Sequence, residues 1–396
     1  MPGFDPGQFY EETLLANGID TAFGVPDTNL SGLLTYLSAT QPVSKHIVPA
    51  NEGAAVALAA GYYLSTSSVA LVYMQNSGLA NALNPLQSIA SRGVFGIPML
   101  LLIGWAGRSG KKEELQDVLV GPRLLDSLQV NNLPYEEVSD SDSLPTVKDT
   151  IARLVVKSLQ EKTPVALIVP RQTFAEPENI ASPKFPPSIT ATDPKIERWI
   201  SWAPPHLPLA REGAIRCVLG QITPSDVSIS SLGGNSRELY MIRKMARESI
   251  ARNFFCIGAM GHAYALAFGV AMKFTSGRVF CIDGDGSFMM HAGNNALLAG
   301  ISPPNLIHVV IYNGVHASTG NHPLTTQRDN IVSLVQGLPY KQKFFVDDAE
   351  GLEKACRVSN ESTIILVAVN DYSKRGLAAP SESPQDLKNM FMRSLL

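Results

Sequence analysis

The residues best placed to do chemistry lie in Arg278-Val-Phe-Cys-Ile-Asp-Gly-Asp-Gly-Ser-Phe288 and in Tyr312-Asn-Gly-Val315. In the first, an apolar run enters Gly284-Asp285-Gly286, and a helical pattern begins near Ser287. Glycines there let the backbone approach a ligand closely, and a helix start offers free N–H groups to phosphate oxygens. Asp285 adds a hard carboxylate oxygen of the kind Mg²⁺ takes beside phosphate. Gly-Asp-Gly alone is a common turn. The next apolar run, Leu306-Ile-His-Val-Val-Ile-Tyr312, makes it more than that, because it ends at Asn313-Gly314 with 26 residues between Gly286 and Asn313. One helix and one strand fit that interval, so both strand ends reach the same sheet edge, where open sheets bind ligands. Asp285, Asn313 and the carbonyl of Val315 can then share one octahedral metal ion. The competing phosphate signatures are missing: there is no GxxxxGK[ST], and Gly284 does not open a GxGxxG.

A second carboxylate stands out in Pro49-Ala-Asn-Glu52-Gly-Ala-Ala-Val-Ala-Leu-Ala-Ala-Gly61. Glu52 heads a helix of small apolar residues with no other charge. A Glu at a helix N-terminus is commonly a favourable charge–dipole placement. A lone carboxyl group at a dry helix head also has the character of an acid–base catalyst.

The elements that must position these groups alternate along the chain. Val69–Met74, Pro98–Ile103 and Pro164–Val169 read as strands apolar on both faces, as in parallel sheets covered by helices. Helical stretches Gly53–Leu64 and Leu79–Ser91 lie between them. From Glu176 to about Leu209 prolines crowd the chain, which predicts an extended linker. Asp226–Ser231, Arg278–Ile282, Leu306–Tyr312 and Thr363–Val369 are the later strands, with helices near Arg237–Arg247, His262–Lys273 and Phe288–Gly300. The expected fold class is α/β, with two open parallel-sheet domains at 1–180 and 210–396 and a proline-rich linker at 181–209.

Composition narrows the classes of function. The 396 residues are 45% hydrophobic with a net charge of -3, which is enough for sizeable cores and too little basic charge for a nucleic-acid footprint. Lys111 and Lys112 are balanced by Glu113, Glu114 and Asp117, as in a solvated loop. No apolar run approaches the roughly 20 residues that span a bilayer, and Met1–Pro6 has no basic or apolar leader pattern. The four cysteines form no CxxC pair and read as reduced, buried thiols, so a cytoplasmic location is expected.

Gly284-Asp-Gly286 with Asn313 one strand later resembles the signature of thiamin-diphosphate-dependent enzymes, which is Gly-Asp-Gly followed by Asn-Asn. Tyr312 replaces the first Asn, while the second, the metal ligand, is present. The resemblance implies thiamin diphosphate and Mg²⁺ as cofactors. It implies that Met260, in Gly258-Ala-Met-Gly-His262, supports the bent cofactor, with Gly258 and His262 beside it. Gly233-Gly234-Asn235-Ser236 is then a second diphosphate-binding turn, and Glu52 is the acid–base group at the aminopyrimidine. Removal from water favours the protonated form of a carboxyl group, which makes such proton sharing possible.

Blocks along nearly the whole chain resemble one branch of that family. Phe23-Gly-Val-Pro-Asp27, Asn51–Tyr62, Tyr73-Met-Gln-Asn-Ser-Gly-Leu-Ala-Asn81, Ile97–Trp105, Ser236–Tyr240, Gly261-His-Ala263 and Pro304–Val310 are similar to phosphonopyruvate decarboxylases and, less closely, to sulfopyruvate decarboxylases. The implied architecture is a pyrimidine-binding domain followed by a diphosphate-binding domain, with no middle domain. The implied assembly is a homodimer or higher homo-oligomer with sites between subunits, Glu52 of one chain facing Asp285 of another. Further cofactor contacts are implied at Gln75, Asn76, Ser77, Gly284, Gly286 and Ser287, and substrate contacts at Asp27, Arg108, His316 and His322. The implied reaction is decarboxylation of 3-phosphonopyruvate to phosphonoacetaldehyde. The departures fall where an anion would be held: Ala106 stands where the branch has Arg, Glu114-Leu-Gln-Asp117 where it has Glu-Pro-Gln-His, and Ala317-Ser-Thr-Gly-Asn-His-Pro323 where it has Asp-Ser-Val-Gly-Gly-Gln-Pro. Losing Arg removes a bidentate anion donor, and Arg108 and His322 are the candidates to compensate from new positions. Three readings stay open: this substrate, another 2-oxo acid handled by decarboxylation or carboligation, and a non-catalytic cofactor-binding homologue.

Overall fold

Two families of apolar runs build two wholly parallel sheets. The computed structural model describes residues 3–108, 115–139, 141–177, 195–198, 209–325, 328–372, 374 and 376–396. The chain divides into two compact units, Met1–Ser188 and Ile189–Leu396. The first sheet contains β1 (Ala22–Gly24), β2 (His46–Ile47), β3 (Leu71–Gln75), β4 (Met99–Trp105), β5 (Tyr135–Glu137) and β6 (Pro164–Pro170), in the order β2-β1-β3-β4-β6-β5. β3, β4 and β6 are buried nearly throughout, which explains why their sequences do not alternate.

The second unit carries β7 (Lys195–Arg198), β8 (Val227–Ser230), β9 (Asn253–Phe255), β10 (Val279–Gly284) and β11 (Leu306–Tyr312), then a hairpin of β12 (Val315–His316) and β13 (His322–Pro323), then β14 (Gln342–Val346) and β15 (Thr363–Ala368). Its seven-stranded order is β7-β14-β15-β11-β10-β8-β9. In each sheet the order reverses twice, and one reversal lies beside β1 in the first sheet and beside β8 in the second. The chain moves outward from β1 to β2 and returns to β3 on the other side of β1. It moves outward from β8 to β9 and returns to β10 on the other side of β8. A crevice opens at the carboxyl ends of strands flanking such a reversal. Asp27 follows β1 and Gln75 ends β3; Gly233 and Asp285 follow β8 and β10.

Three elements differ from their sequence expectations. The helix expected over 79–91 is an α-helix at Leu79–Pro85 that widens into a π-helical turn at Leu86–Ala90. Pro85 has no N–H to return to the preceding turn, so the ladder is interrupted there. The helix expected over 288–300 starts earlier, at Asp285, and breaks at His291 into Asp285–Met290, Ala292–Leu298 and a 3₁₀ turn at Ala299–Ile301. The break lies where the His291 ring stacks on His262, with centroids 4.4 Å apart. Within the proline-rich 181–209 stretch, Lys195–Arg198 pairs parallel to β14 at the sheet edge. Residues 181–194 and 199–208, like 109–114, for which a solvated loop is expected from the sequence, lie outside the described residues. No helix among the described residues is long and apolar enough to cross a membrane.

Candidate active site

Glu52 begins the helix Glu52–Thr66, whose end is capped by the Asn51 side chain accepting the N–H of Ala54 at 2.9 Å. The helix is buried almost all round, so it has no charged face to present to water. Glu52 itself is only 9% exposed. Its Oε2 accepts the Asn81 side-chain N–H at 2.9 Å. Its Oε1 packs on Gly78, where an added Cβ would lie 2.3 Å away. The buried carboxylate is thus held at one oxygen and walled by glycine at the other.

Asp27 caps the 3₁₀ turn Thr28–Leu30, its Oδ1 accepting the Asn29 N–H at 3.2 Å. Its Oδ2 is buried without a hydrogen-bond partner, in a space left by Gly104. Burial pushes the Asp27 carboxyl up to about 6; the Asn29 N–H opposes the rise and the nearby Asp117 charge adds to it. A carboxyl whose folded pKa is raised above its unfolded value favours the fold while protonated; that contribution is complete below about pH 4 and is lost as pH rises through about 6. Asp27→Asn, which removes the charge and keeps the shape, is therefore expected to stabilise the protein by about 2–3 kcal/mol at pH 7.5 and by little at pH 4. Thermal unfolding at both pH values checks this. Equal shifts at the two would rule out a buried charge at Asp27.

Other expected contacts in this unit are already engaged. The Asn76 amide bonds both the carbonyl and the N–H of Ala106, at 3.0 and 3.1 Å, and so holds the exit of β4. Gln75 accepts from the exposed Ser77 hydroxyl at 2.8 Å. Arg108 lies over the Trp105 ring, 5.1 Å from its centroid.

In the second unit the β10 and β11 ends meet as the spacing requires, with Gly284 opposite Ile311 in register. Asp285 Oδ1 accepts the Gly286 N–H at 2.8 Å, and Oδ2 accepts those of Asn313 and Gly314 at 3.0 and 2.7 Å. Gly314 has φ 72°, a conformation suited to glycine, and it turns the chain so that the Val315 N–H reaches Asn313 Oδ1 at 3.1 Å. Burial raises the Asp285 pKa, and the three N–H groups oppose the rise. A carboxylate has about four acceptor positions and an amide oxygen two, so Asp285 and Asn313 each keep one for a cation. Among the described residues no group of three or more His, Cys, Asp or Glu could hold a metal. The donor set here is instead carboxylate, amide and backbone carbonyl, the hard oxygens that suit Mg²⁺.

A cavity of about 100 Å³ collects Gly234, Asn235, Met260, Gly284, Asp285, Gly286, Ser287, Asn313, Val315 and His316. Gly286 admits no side chain, because a Cβ there would lie 2.7 Å from His316 and 3.4 Å from the Met260 methyl. The Ser287 hydroxyl accepts the Gly261 N–H at 3.1 Å and ties the Met260 loop to this turn. The helix Gly234–Met245 begins at Gly233 with no side-chain cap, so its first N–H groups are free for phosphate oxygens. Gly233 borders an adjoining cavity of about 830 Å³.

Besides Gly233, four expected residues of this unit stand apart from the smaller cavity. The Ser236 hydroxyl is turned to Ser230 and Ser231, both at 2.8 Å. His262 is buried against His291, its pKa pulled down to about 3 by burial and then by that neighbour. Gly258, with φ 66°, shapes the loop before Met260. His322 is exposed and faces His316 across the β12–β13 hairpin. Residues that sequence reasoning passed over include Gly78 and Asn81 at Glu52, Gly104 at Asp27, and Arg211 at the cavity wall. Asn81 lies one helical turn beyond Ser77, a spacing that could have signalled it.

Known proteins match this arrangement over both units. The thiamine pyrophosphate enzyme N-terminal TPP binding domain matches residues 7–123, and the C-terminal TPP binding domain matches residues 233–366. Phosphonopyruvate decarboxylase of Streptomyces viridochromogenes is 28% identical, with 94% of this chain and 91% of that protein covered. Sulfopyruvate decarboxylase of Methanosarcina acetivorans is 27% identical, with 80% and 78% covered. Among solved structures, benzoylformate decarboxylase from Polynucleobacter necessarius superimposes with a TM-score of 0.67 over 93% of this chain and 99% of that one, at 14% identity, a likeness of fold.

Proposed function

The chain belongs to the thiamine pyrophosphate enzyme family, and from that premise we propose that it decarboxylates a small anionic 2-oxo acid, in the first place 3-phosphonopyruvate to phosphonoacetaldehyde and CO₂. The observation that carries this reading is a buried Glu52 at the head of an otherwise uncharged helix, in a chain that also sets Asp285 and Asn313 at adjacent strand ends. When bound, thiamin diphosphate supplies the nucleophilic carbon and the electron sink for loss of CO₂. Asp285, Asn313 and the Val315 carbonyl hold Mg²⁺, and the first N–H groups of Gly234–Met245 bind phosphate oxygens. Met260 gives the cofactor an apolar support. Glu52 exchanges a proton at Oε1 while Asn81 fixes Oε2. Asp27 takes up a proton as pH falls through about 6, with its Oδ2 unpartnered, and Arg108, His316 and His322 are the cationic and polar groups of the substrate side. The reading calls for a homodimer or higher homo-oligomer, which sedimentation measures directly, and four free cysteines support a cytoplasmic setting.

A second reading is favoured by one observation. Asp117 is buried and close enough to Asp27 to raise its pKa, and Ala106 offers no cation beside them. Two acids at that point suit a less highly charged 2-oxo acid, whether decarboxylated or joined to an aldehyde, better than a phosphonate. The retained Glu52 and Asp285 weigh against a homologue that binds cofactor without catalysis. Incubation with thiamin diphosphate and Mg²⁺ and, in turn, phosphonopyruvate, sulfopyruvate and pyruvate separates the readings by CO₂ release and product. Phosphonopyruvate is expected to turn over fastest. Turnover confined to another acid would overturn that substrate.

A further inference from the structure

We propose that Arg211, locked to Glu238, is a positioning residue for the diphosphate-binding turn at Gly233–Gly234; this rests on the reading of that turn as a cofactor site. Arg211 opens the helix Arg211–Gly220 and is 7% exposed. Its Nε and Nη2 donate to Glu238 Oε2 and Oε1 at 2.9 and 2.8 Å, a planar fork on a carboxylate that is itself 2% exposed. Glu238 sits one turn into the helix that Gly234 begins, so the pair ties the two helices together directly beneath the turn. The guanidinium lies against Gly234: a Cβ there would be 2.4 Å from both Cζ and Nη1. The same guanidinium is in the wall of both cavities that meet at the turn.

Two physical consequences follow. The turn cannot move toward its own helix without displacing a hydrogen-bonded ion pair, so the N–H groups it presents are held in place before a phosphate arrives. The pair is also a dipole with its cationic end at the cavity wall, in surroundings too dry to screen it. Stability alone is a poor reason for such a pair, because well-packed apolar residues commonly replace a buried ion pair without loss. Lysine has no planar fork and cannot reproduce the contact.

The test is calorimetric titration of thiamin diphosphate with Mg²⁺, and separately of inorganic diphosphate with Mg²⁺, into the wild-type chain, Arg211→Lys and the apolar double variant Arg211→Met/Glu238→Leu. The double variant is expected to unfold within a few degrees of wild type, yet to bind both ligands about tenfold to a hundredfold more weakly, the range of outer-shell partners. Its kcat at saturating cofactor is expected to stay near wild type while its cofactor requirement rises. A double variant that folds and binds both ligands as wild type does overturns the proposal. If the double variant does not fold, Arg211→Lys decides: weakened diphosphate binding with an unchanged unfolding temperature supports the role, and unchanged binding overturns it. Failure of the wild-type chain to bind thiamin diphosphate would instead overturn the cofactor reading, and the role of Arg211 with it.

Discussion

Glu52→Gln lowers turnover by about a thousandfold, within the range of general acid–base contributions, and leaves cofactor affinity within a few-fold of wild type. The substitution is mild for the fold. Asn51 still caps the helix, and a glutamine carbonyl oxygen still accepts the Asn81 N–H that Oε2 accepts now. What disappears is a group that can take and return a proton beside Gly78, where the closeness of Oε1 leaves no space for a side chain to substitute. Hydrogen–deuterium exchange at the C2 position of bound cofactor, followed by NMR, is expected to slow in step with turnover, while calorimetry shows binding retained. A variant that binds cofactor and exchanges at the wild-type rate would remove Glu52 from its assigned role. Loss of cofactor binding would place Glu52 among the binding groups instead.

The parts of this fold and site that could be read from the sequence share one property: their signal is local. β11 runs over Leu306–Tyr312 as its apolar run predicts, because a strand buried on both faces reads as a nearly continuous apolar run, broken here only by His308, whose ring is hydrogen-bonded to the Tyr340 hydroxyl. Gly284-Asp285-Gly286 and Asn313-Gly314 are each a strand end followed by a turn, so their convergence follows from one helix and one strand of intervening chain. The parts that could not be read depend on pairs set by tertiary packing. Arg211 and Glu238 are 27 residues apart, and neither carries a local pattern that names the other. Asn76 looks like a ligand-facing amide after a strand, but its two bonds to Ala106 are fixed only once β3 and β4 pair. β7 is hidden for the opposite reason. Prolines around Lys195–Arg198 argue against a strand, yet an edge position tolerates a short one, since only one side must pair. The helix break at His291 has no proline to mark it, and the His262 ring that stacks on it comes from a loop 29 residues earlier in the chain.

Asp285→Ala is expected to weaken metal-dependent binding of thiamin diphosphate by more than about a hundredfold, the upper end of what outer-shell partners alone produce. Two effects act together and are separable. The first is loss of the carboxylate as a cation donor. The second is local: the N–H groups of Gly286, Asn313 and Gly314 all point at this carboxylate, and buried donors left without an acceptor destabilise by about 1–3 kcal/mol each unless water reaches them. Asp285→Asn splits the two, since an amide keeps one acceptor oxygen but turns an NH₂ toward one side of that set. Both variants are expected to lose Mg²⁺-dependent binding, and Asn to lose less thermal stability than Ala. The pH dependence gives a further signature. Burial raises the Asp285 pKa, and a protonated carboxyl group cannot ligate a cation, so in the wild-type chain proton and metal compete for the same oxygen. Apparent Mg²⁺ affinity therefore falls as pH is lowered through the raised carboxyl range, and this slope is expected to vanish in Asp285→Ala. Cofactor binding by Asp285→Ala within a few-fold of wild type, with the pH slope intact, would move the metal away from Asp285. In that case the three N–H bonds would be the whole role of its carboxylate: a turn-closing acceptor that joins the β10 and β11 ends.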